Sequence, residues 1–311
     1  MAPLPLVWVH GAGPQPPAAA LKHEVDTLVF GRDMPSTTVA HYAGVRWPLA
    51  TGGGPAAAPM RSNRARRVRA IRSSMDPRVS TEAAAAAIVD ATLVAPLPVG
   101  RGAVAAPPPP SVAAATRLVE QLYREADRIA SRSSVPRQAR ALGPTFPDPI
   151  FRFIVGKFAS DVVDYLYGPY TEAMRAPVRQ VLLMNPTPRV IVAHSLGTII
   201  TYDVLSEAGL AGLTVDLLVT IGCPLGIGNV QKRLRDRAGR PNPVPKSVVA
   251  WSNFADRFDP VALDATLRDE FEPPKNLPRD EEVNNQARNN HDLTGYLAIA
   301  LVRSAIVDAV G

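Results

Sequence analysis

The sequence predicts an α/β protein with a mostly parallel sheet that helices cover on both faces. One observation is a set of short apolar runs, such as LPLVWV at 4–9 and LTVDLLVTI at 213–221, which are typical of strands buried on both faces. A second is that segments with apolar residues at helical spacing separate these runs. Parallel neighbours need a long crossover, usually a helix, so the alternation favours a parallel sheet over hairpins.

The N-terminal strand, residues 4–9, runs directly into the glycine-rich turn His10-Gly11-Ala12-Gly13. Glycines let the backbone approach another group closely, so this turn can hold its N–H groups against a ligand. A plain turn at the end of a strand is the alternative. Residues 21–30 predict a helix, and the alternating STTVAHY at 36–42 predicts a second strand.

Between about residues 50 and 149 the composition changes to one rich in proline, alanine and arginine. Helices are predicted at 79–94 and 112–130, so we expect a helical insertion in a single domain, with a lid as its candidate role. Six arginines lie from Arg61 to Arg72. They form a solvated helix face or, alternatively, bind phosphate groups or an anionic membrane surface.

The second half of the chain continues the alternation of helices and strands. Residues 150–184 predict a helix that is broken at Gly168-Pro169. Further strands are predicted at 189–193, 213–221 and 246–254, with a short one near 282–284. The strongly apolar segment 293–310 predicts one closing helix.

Composition limits the class of protein. A chain of 311 residues can bury a sizeable core, and 46% hydrophobic with 20% charged residues is ordinary for a soluble globular protein. The single cysteine, Cys223, excludes an intramolecular disulfide and fits a reducing compartment. No signal peptide is visible and no apolar run reaches about 18 residues, so we expect a cytoplasmic protein. The net charge of +6 is a solubility feature or a sign of anionic partners.

The most informative stretch is PRVIVAHSLGTIITYDVL, which begins at Pro188. A buried strand runs into a tight turn at 194–197, and a helix follows. Ser195 lies in the turn, with the small residues Ala193 and Gly197 two positions away on either side. This is the nucleophile-elbow pattern, which exposes the serine hydroxyl above the sheet and aims the first helix amide, that of Leu196, at the reacting carbonyl oxygen.

A serine hydroxyl needs a neighbouring base, and five histidines are available. His291 is preferred because it lies in a polar loop before the last helix, where open α/β sheets gather reactive groups. His194 is adjacent to the serine, but neighbours on a tight turn point in different directions, so it is expected to pack beside the turn. His10 suits a structural role, and neither His23 nor His41 has a loop signal.

The acid that orients the base is expected after a strand between the serine and the histidine. Asp256 and Asp259 both follow the strand at 246–254. Asp259 is preferred because the following Pro260 turns the chain sharply and fixes the carboxylate in the loop. Asp256 remains the alternative, as a loop cap or as the acid itself, whereas Asp216 and Asp264 have weaker contexts.

The order Ser195, Asp259, His291 is that of the α/β-hydrolases, and the sequence resembles the lipase and esterase branch of that superfamily. The matching motifs, which span nearly the whole chain outside 50–150, are VWVHGAG, VAHSLG, TIGCPLG, FDPV and NNHDLTGYL. The resemblance implies that Ser195 attacks an acyl carbonyl, His291 relays the proton and Asp259 holds the imidazole. It also implies an oxyanion hole formed by the backbone N–H groups of Leu196 and Ala12.

The expected function is therefore that of a serine hydrolase cleaving carboxylic esters of small molecules or lipids through an acyl-enzyme. A thioesterase, amidase or acyltransferase would use the same residues, and a non-catalytic binding module would keep the fold. No cofactor is expected, and no metal, because paired cysteines and His-x-x-x-His spacing are absent. Nucleic-acid binding is not expected, because aromatic residues do not interleave the arginines. Acyl specificity and oligomeric state stay open.

Overall fold

The computed structural model describes residues 5–46, 57–76, 78–93, 112–132, 149–184, 190–239, 243–262, 264–271, 277–287 and 289–311. The chain forms two compact units. The first combines Met1–Trp47 with Glu172–Gly311, and the second is the intervening segment, Pro48–Thr171. The predicted helical insertion at 50–149 falls within this second unit, which extends further along the chain.

In the described part of the first unit, six strands form one sheet in which every neighbouring pair is parallel. The strands are β1 (Leu6–Val9), β2 (Thr37–Ala40), β3 (Val190–His194), β4 (Val215–Ile221), β5 (Val248–Asp256) and β6 (Arg279–Val283). Their spatial order is β2-β1-β3-β4-β5-β6. The predicted α/β class with a mostly parallel sheet is confirmed.

The helices of the described chain are α1 (Ala18–Phe30), α2 (Ala43–Arg46), α3 (Ala57–Ser74), α4 (Thr81–Leu93), α5 (Val112–Arg132), α6 (Pro149–Leu166), α7 (Thr171–Met184), α8 (Leu196–Leu205), α9 (Gly228–Ala238), α10 (Leu293–Ala298) and α11 (Ala300–Val310). In the second unit α4 packs against α3, α5 and α6. In the first unit α1 packs against α10 and α11. None of the described helices is both long and apolar enough to cross a membrane.

The central strands β1 and β3 are buried on both faces, which explains why they read as continuous apolar runs. Leu6 and Trp8 of β1 lie in one hydrophobic cluster with residues of α1, α10 and α11. Val7 and Val9, which alternate with them and point to the opposite face, are fully buried as well. Strands in this position have no solvent-facing side, so period-two polarity is absent.

The predicted break at Gly168-Pro169 is confirmed, since α6 ends at Leu166 and α7 begins at Thr171. The amide of Gly168 donates to the carbonyls of Val163 and Asp164, which closes the last turn of α6. A Cβ on Gly168 would lie 2.7 Å from the carbonyl oxygen of Asp164, so the position requires glycine.

Other boundaries were predicted wrongly. The closing helix is two helices, because Ile299 is extended with φ −77° and ψ 123°. The last strand begins at Arg279, not near Glu282. It is an edge strand of sequence RDEEV and therefore lacks the apolar signature of a buried strand. The polar helix α9 lacks a wide apolar stripe and was not predicted.

The arginines from Arg61 to Arg72 lie on α3 and are not one uniform face. Arg67 is 6% exposed, and its guanidinium lies 3.0 Å from the buried carboxylate of Asp164 on α6. Arg66 pairs with Asp90 at the surface, 3.1 Å away. Arg67 therefore serves the interior of the second unit. The side chains of residues 61 and 64 lie outside the described set.

Candidate active site

Ser195 has a backbone conformation that side chains rarely adopt, with φ 55° and ψ −129°. It is the one non-glycine residue with positive φ in the described ranges. The conformation arises because β3 ends at His194 and α8 begins at Leu196, so the chain reverses direction within a single residue. Such strain costs about 1–3 kcal/mol and persists only where the surrounding structure holds it, typically at functional sites.

Neighbouring side chains anchor the carbonyl of Ser195. The amide and the hydroxyl of Thr198 both donate to it, at 2.9 and 2.7 Å. The buried thiol of Cys223 donates in turn to the Thr198 hydroxyl, at 3.2 Å. Burial raises the pKa of Cys223 to about 12, so the group remains a thiol and a donor. Cys223 thus supports the strained turn from the end of β4.

The turns after β1 and β3 are in direct contact, and two glycines allow it. A Cβ on Gly197 would overlap the carbonyl of His10. A Cβ on Gly11 would lie 3.0 Å from Cβ of Ser195 and 2.8 Å from Nδ1 of His194. Any larger side chain at either position would push the two turns apart.

The position in the sheet favours a binding site. The chain runs from β1 to β2 on one side of β1 and later places β3 on the other side. In open parallel sheets the crevice at this change of direction, beyond the carboxyl ends of the strands, is where ligands bind. Ser195 follows β3 and the turn at His10 follows β1, so both lie at the end of the sheet where such a crevice is expected.

Three predicted residues come together in a hydrogen-bonded chain. Nε2 of His291 lies 2.8 Å from Oγ of Ser195. Nδ1 of the same ring lies 2.9 Å from Oδ2 of Asp259. A carboxylate can only accept, so the neutral ring carries its proton on Nδ1 and presents the Nε2 lone pair to the serine hydroxyl. All three residues are at least nine-tenths buried.

Asp259 is held as a carboxylate by four donors. Oδ1 accepts from the amides of Val261 and Ala262, at 2.8 and 3.2 Å, and Oδ2 also accepts from the hydroxyl of Tyr296, at 2.8 Å. Burial by itself raises the pKa of Asp259. The attraction and hydrogen bond of His291, the Val261 amide and the Tyr296 hydroxyl outweigh burial, so the pKa lies below the ordinary value.

Asp256, the alternative acid, has a different environment. Its Oδ1 accepts from the amide of Phe258, at 2.7 Å. Its Oδ2 accepts from the amide of Asn285, at 2.5 Å, and from the side chain of Asn290, at 3.3 Å. The structure brings Asp259, and not Asp256, into contact with His291. Asp256 instead ties the end of β5 to the loop that carries the histidine.

That loop is bonded to itself as well. The side-chain N–H2 of Asn285 donates to the carbonyls of Asn290 and Asp292, both at 2.9 Å. Gly295 lies against the Asn285 amide, where a Cβ would overlap its oxygen. These bonds tie Asn285 to the residues on either side of His291.

His194 lies against the candidate base. Its ring stacks on that of His291, with centroids 4.8 Å apart, and its Nε2 lies 3.2 Å from the carbonyl oxygen of His291. Burial, with a smaller effect of His291, lowers the pKa of His194 to about 3, so the ring is neutral and donates through Nε2. His194 packs beside the turn and also anchors the main chain of His291.

The two predicted oxyanion donors border Ser195. Leu196 is the first residue of α8, so its N–H has no partner within the helix. Ala12 follows Gly11 in the turn that contacts Ser195. His23 is exposed and lies beside Asp33. His41 is half-buried, with its ring 5.0 Å from that of His10 and its Nε2 2.8 Å from the carbonyl oxygen of Pro16.

Three residues that contact the site were missed in the sequence, namely Tyr42, Tyr296 and Asn285. In the sequence both tyrosines resemble ordinary apolar core residues, and the one indication of a polar role is that a buried tyrosine hydroxyl needs a hydrogen-bond partner.

Within the described residues, no cluster of three or more histidine, cysteine or acidic side chains is arranged to hold a metal ion. No family model matches this chain, and no significant match is found among curated proteins or solved structures.

Proposed function

We propose that this protein is a serine hydrolase of the α/β-hydrolase type that cleaves carboxylic esters, with Ser195, His291 and Asp259 as its catalytic triad. The observation that carries the proposal is the hydrogen-bonded chain from Ser195 Oγ through the His291 ring to Asp259, at 2.8 and 2.9 Å. Its serine lies on a strained strand-to-helix turn. A buried chain with this tautomer is what a serine nucleophile requires.

In the proposed acylation step, Ser195 Oγ attacks the acyl carbonyl carbon while its proton passes to Nε2 of His291. The imidazolium that forms is stabilised by the Asp259 carboxylate, and the carbonyl oxygen becomes an oxyanion that accepts from the amides of Leu196 and Ala12. The C–O bond to the alcohol then breaks, and His291 returns its proton to the departing oxygen. An acyl-serine remains.

Deacylation uses the same groups with water as the nucleophile. His291 takes a proton from water as the oxygen attacks the acyl carbon. The second tetrahedral intermediate expels Ser195 Oγ, which regains the proton from His291. The products are a carboxylic acid and an alcohol, and no cofactor is required.

The same triad would act on thioesters or amides, and with an alcohol as acceptor it would transfer the acyl group. A lid role for residues 50–149 and a contact of the arginines from Arg61 to Arg72 with an anionic head group stay predictions. Hydrolysis of p-nitrophenyl esters of increasing chain length, beside matched thioester and amide substrates, would rank these reactions.

Labelling with a fluorophosphonate probe tests the proposal, because the probe phosphonylates only an activated serine. The wild-type protein should be labelled and Ser195→Ala should not. Ser206→Ala is the matched control, since Ser206 follows the same helix and bonds the carbonyl of Tyr202 away from the triad. An unlabelled wild-type protein would favour a binding module that keeps the fold without the chemistry.

A further inference from the structure

A tyrosine that follows β2 holds the turn after β1. The hydroxyl of Tyr42 lies 2.8 Å from the carbonyl oxygen of His10 and 2.9 Å from that of Gly11. Its single proton is shared between these two acceptors, as in other three-centre hydrogen bonds. Tyr42 is 2% exposed, and burial raises the pKa of its hydroxyl well above the ordinary value, so the group stays a donor.

The ring of His10 supplies a second donor to the carbonyl of Gly11. Its Nε2 accepts from the amides of Tyr42 and Ala43, at 3.1 and 3.3 Å, so this nitrogen carries a lone pair. Burial lowers the pKa of His10 to about 3, and the neutral ring must then carry its proton on Nδ1. Nδ1 lies 2.8 Å from the carbonyl oxygen of Gly11 and donates to it.

Fixing this carbonyl also fixes an amide. A peptide unit is planar and trans, so its C=O and N–H point in opposite directions. The Gly11 carbonyl points to Tyr42, and the N–H of the same unit, which belongs to Ala12, therefore points away from Tyr42. Among the described residues that N–H has no acceptor, and Gly11 at the start of the unit packs against Ser195. An unpaired, rigidly oriented donor thus lies beside the serine.

We propose that Tyr42 and His10 are positioning residues that hold the Ala12 amide in place as an oxyanion donor. They contact no reacting atom and act through the backbone of the turn, Tyr42 through the carbonyls of His10 and Gly11 and the His10 ring through that of Gly11. The inference rests on the proposed function, since an oxyanion forms only if Ser195 attacks an acyl group.

Tyr42→Phe removes the hydroxyl and keeps the ring. Loss of one oxyanion donor costs about 10²–10³ in kcat, and a donor that is only loosened should cost about tenfold to a hundredfold. KM should stay within about twofold, because the donor acts on the transition state and not on the bound ester. Tyr202→Phe is the matched control: its hydroxyl also donates to a backbone carbonyl, that of Pro243 at 3.0 Å, and its kcat should equal that of the wild type.

A trifluoromethyl ketone separates positioning from stability, because Ser195 adds to it and forms a hemiketal whose oxyanion occupies the hole. In Tyr42→Phe the inhibition constant of the ketone should rise by the same factor by which kcat falls. A lower melting temperature with kcat and the inhibition constant unchanged would overturn the inference and leave the proposed function intact.

His10→Gln is a second variant, needed if Tyr42→Phe does not fold. It removes the Nδ1 donor to Gly11 and keeps an acceptor near the amides of Tyr42 and Ala43. This variant should also raise the inhibition constant of the ketone, and a wild-type inhibition constant would count against the inference. A wild-type protein inert to the fluorophosphonate would overturn both the proposed function and the inference.

Discussion

Asp259→Asn keeps the shape of the side chain but brings an N–H2 group among four hydrogen-bond donors. Oδ1 faces the amides of Val261 and Ala262, and Oδ2 faces the ring of His291 and the hydroxyl of Tyr296. An asparagine has one acceptor oxygen, so its nitrogen must face one of these pairs. The backbone amides cannot turn away, whereas the imidazole can exchange its tautomer. The nitrogen is therefore expected to face His291.

In that arrangement Nδ1 of His291 accepts, and the ring proton moves to Nε2. Nε2 lies 2.8 Å from Oγ of Ser195 and can no longer take the serine proton. Trapping the wrong tautomer of a triad histidine lowers kcat by about 10⁴, or about 5.5 kcal/mol of transition-state stabilisation. We expect a loss of this size in the hydrolysis of a short p-nitrophenyl ester.

Asp256→Asn is the matched comparison. It removes the same charge three residues away, but the donors that it meets are the amides of Phe258 and Asn285 and the side chain of Asn290. Unfolding in urea should show a loss of about 1–3 kcal/mol from one unsatisfied buried donor, and kcat should stay within about tenfold. A larger loss of kcat in Asp256→Asn than in Asp259→Asn, with both proteins folded, would refute the assignment of the acid.

Three further changes test the surroundings of the site. Gly11→Ala places a Cβ 2.8 Å from His194 and 3.0 Å from Ser195, so displacement of the turn should lower kcat at least about a hundredfold. Gly44→Ala, whose Cβ meets open space, should match the wild type, and equal kcat values for the two variants would contradict the packing argument. Tyr296→Phe removes a donor to Asp259 and the acceptor of the Asp256 amide. The free energy of unfolding, measured in urea, should fall by about 1.5–3 kcal/mol and kcat by about tenfold, and no change in either would show that the hydroxyl is dispensable. The pKa values of His10 and His194 are about 3 in the native protein and about 6.5 in the unfolded chain, so the unfolded chain binds more protons between these two pH values. The free energy of unfolding is therefore greatest above about pH 6.5 and is lower by about 2–3 kcal/mol per histidine at pH 4.5. Urea unfolding at pH 7.5 and 4.5 should show a smaller fall in His194→Gln than in the wild type, while His23→Gln, whose histidine is exposed, keeps the full fall; the same fall in all three would disprove the linkage.

Much of the site could be predicted from the sequence because its main signals are local. A serine between small residues, at the junction of a buried strand and a helix, predicts a strained turn from a few neighbouring residues. Ser195 does have positive φ. His291 was preferred because loops that follow strands meet at one edge of a parallel sheet, and the structure brings its ring to 2.8 Å from Ser195. These inferences need only local pattern and chain order.

Hydrophobic pattern was a poorer guide where burial was partial. The edge strand β6, with its sequence RDEEV, and the polar helix α9 pack on one side only, so their apolar signal is weak. The break at Ile299 within the closing helix likewise has no proline or glycine to announce it. Elements of this kind depend on what the fold places beside them and not on their own sequence.

The sequence by itself indicated the α/β class, the strained turn at Ser195 and the preference for His291 over the other four histidines as the partner of that serine. Only the tertiary structure decided that Asp259 and not Asp256 meets that histidine, that Arg67 is buried against Asp164, and that Tyr42 holds the Gly11 carbonyl. The reason is physical. A hydrogen bond depends on tenths of an ångström between atoms far apart in the chain, and residue type and spacing do not carry that distance.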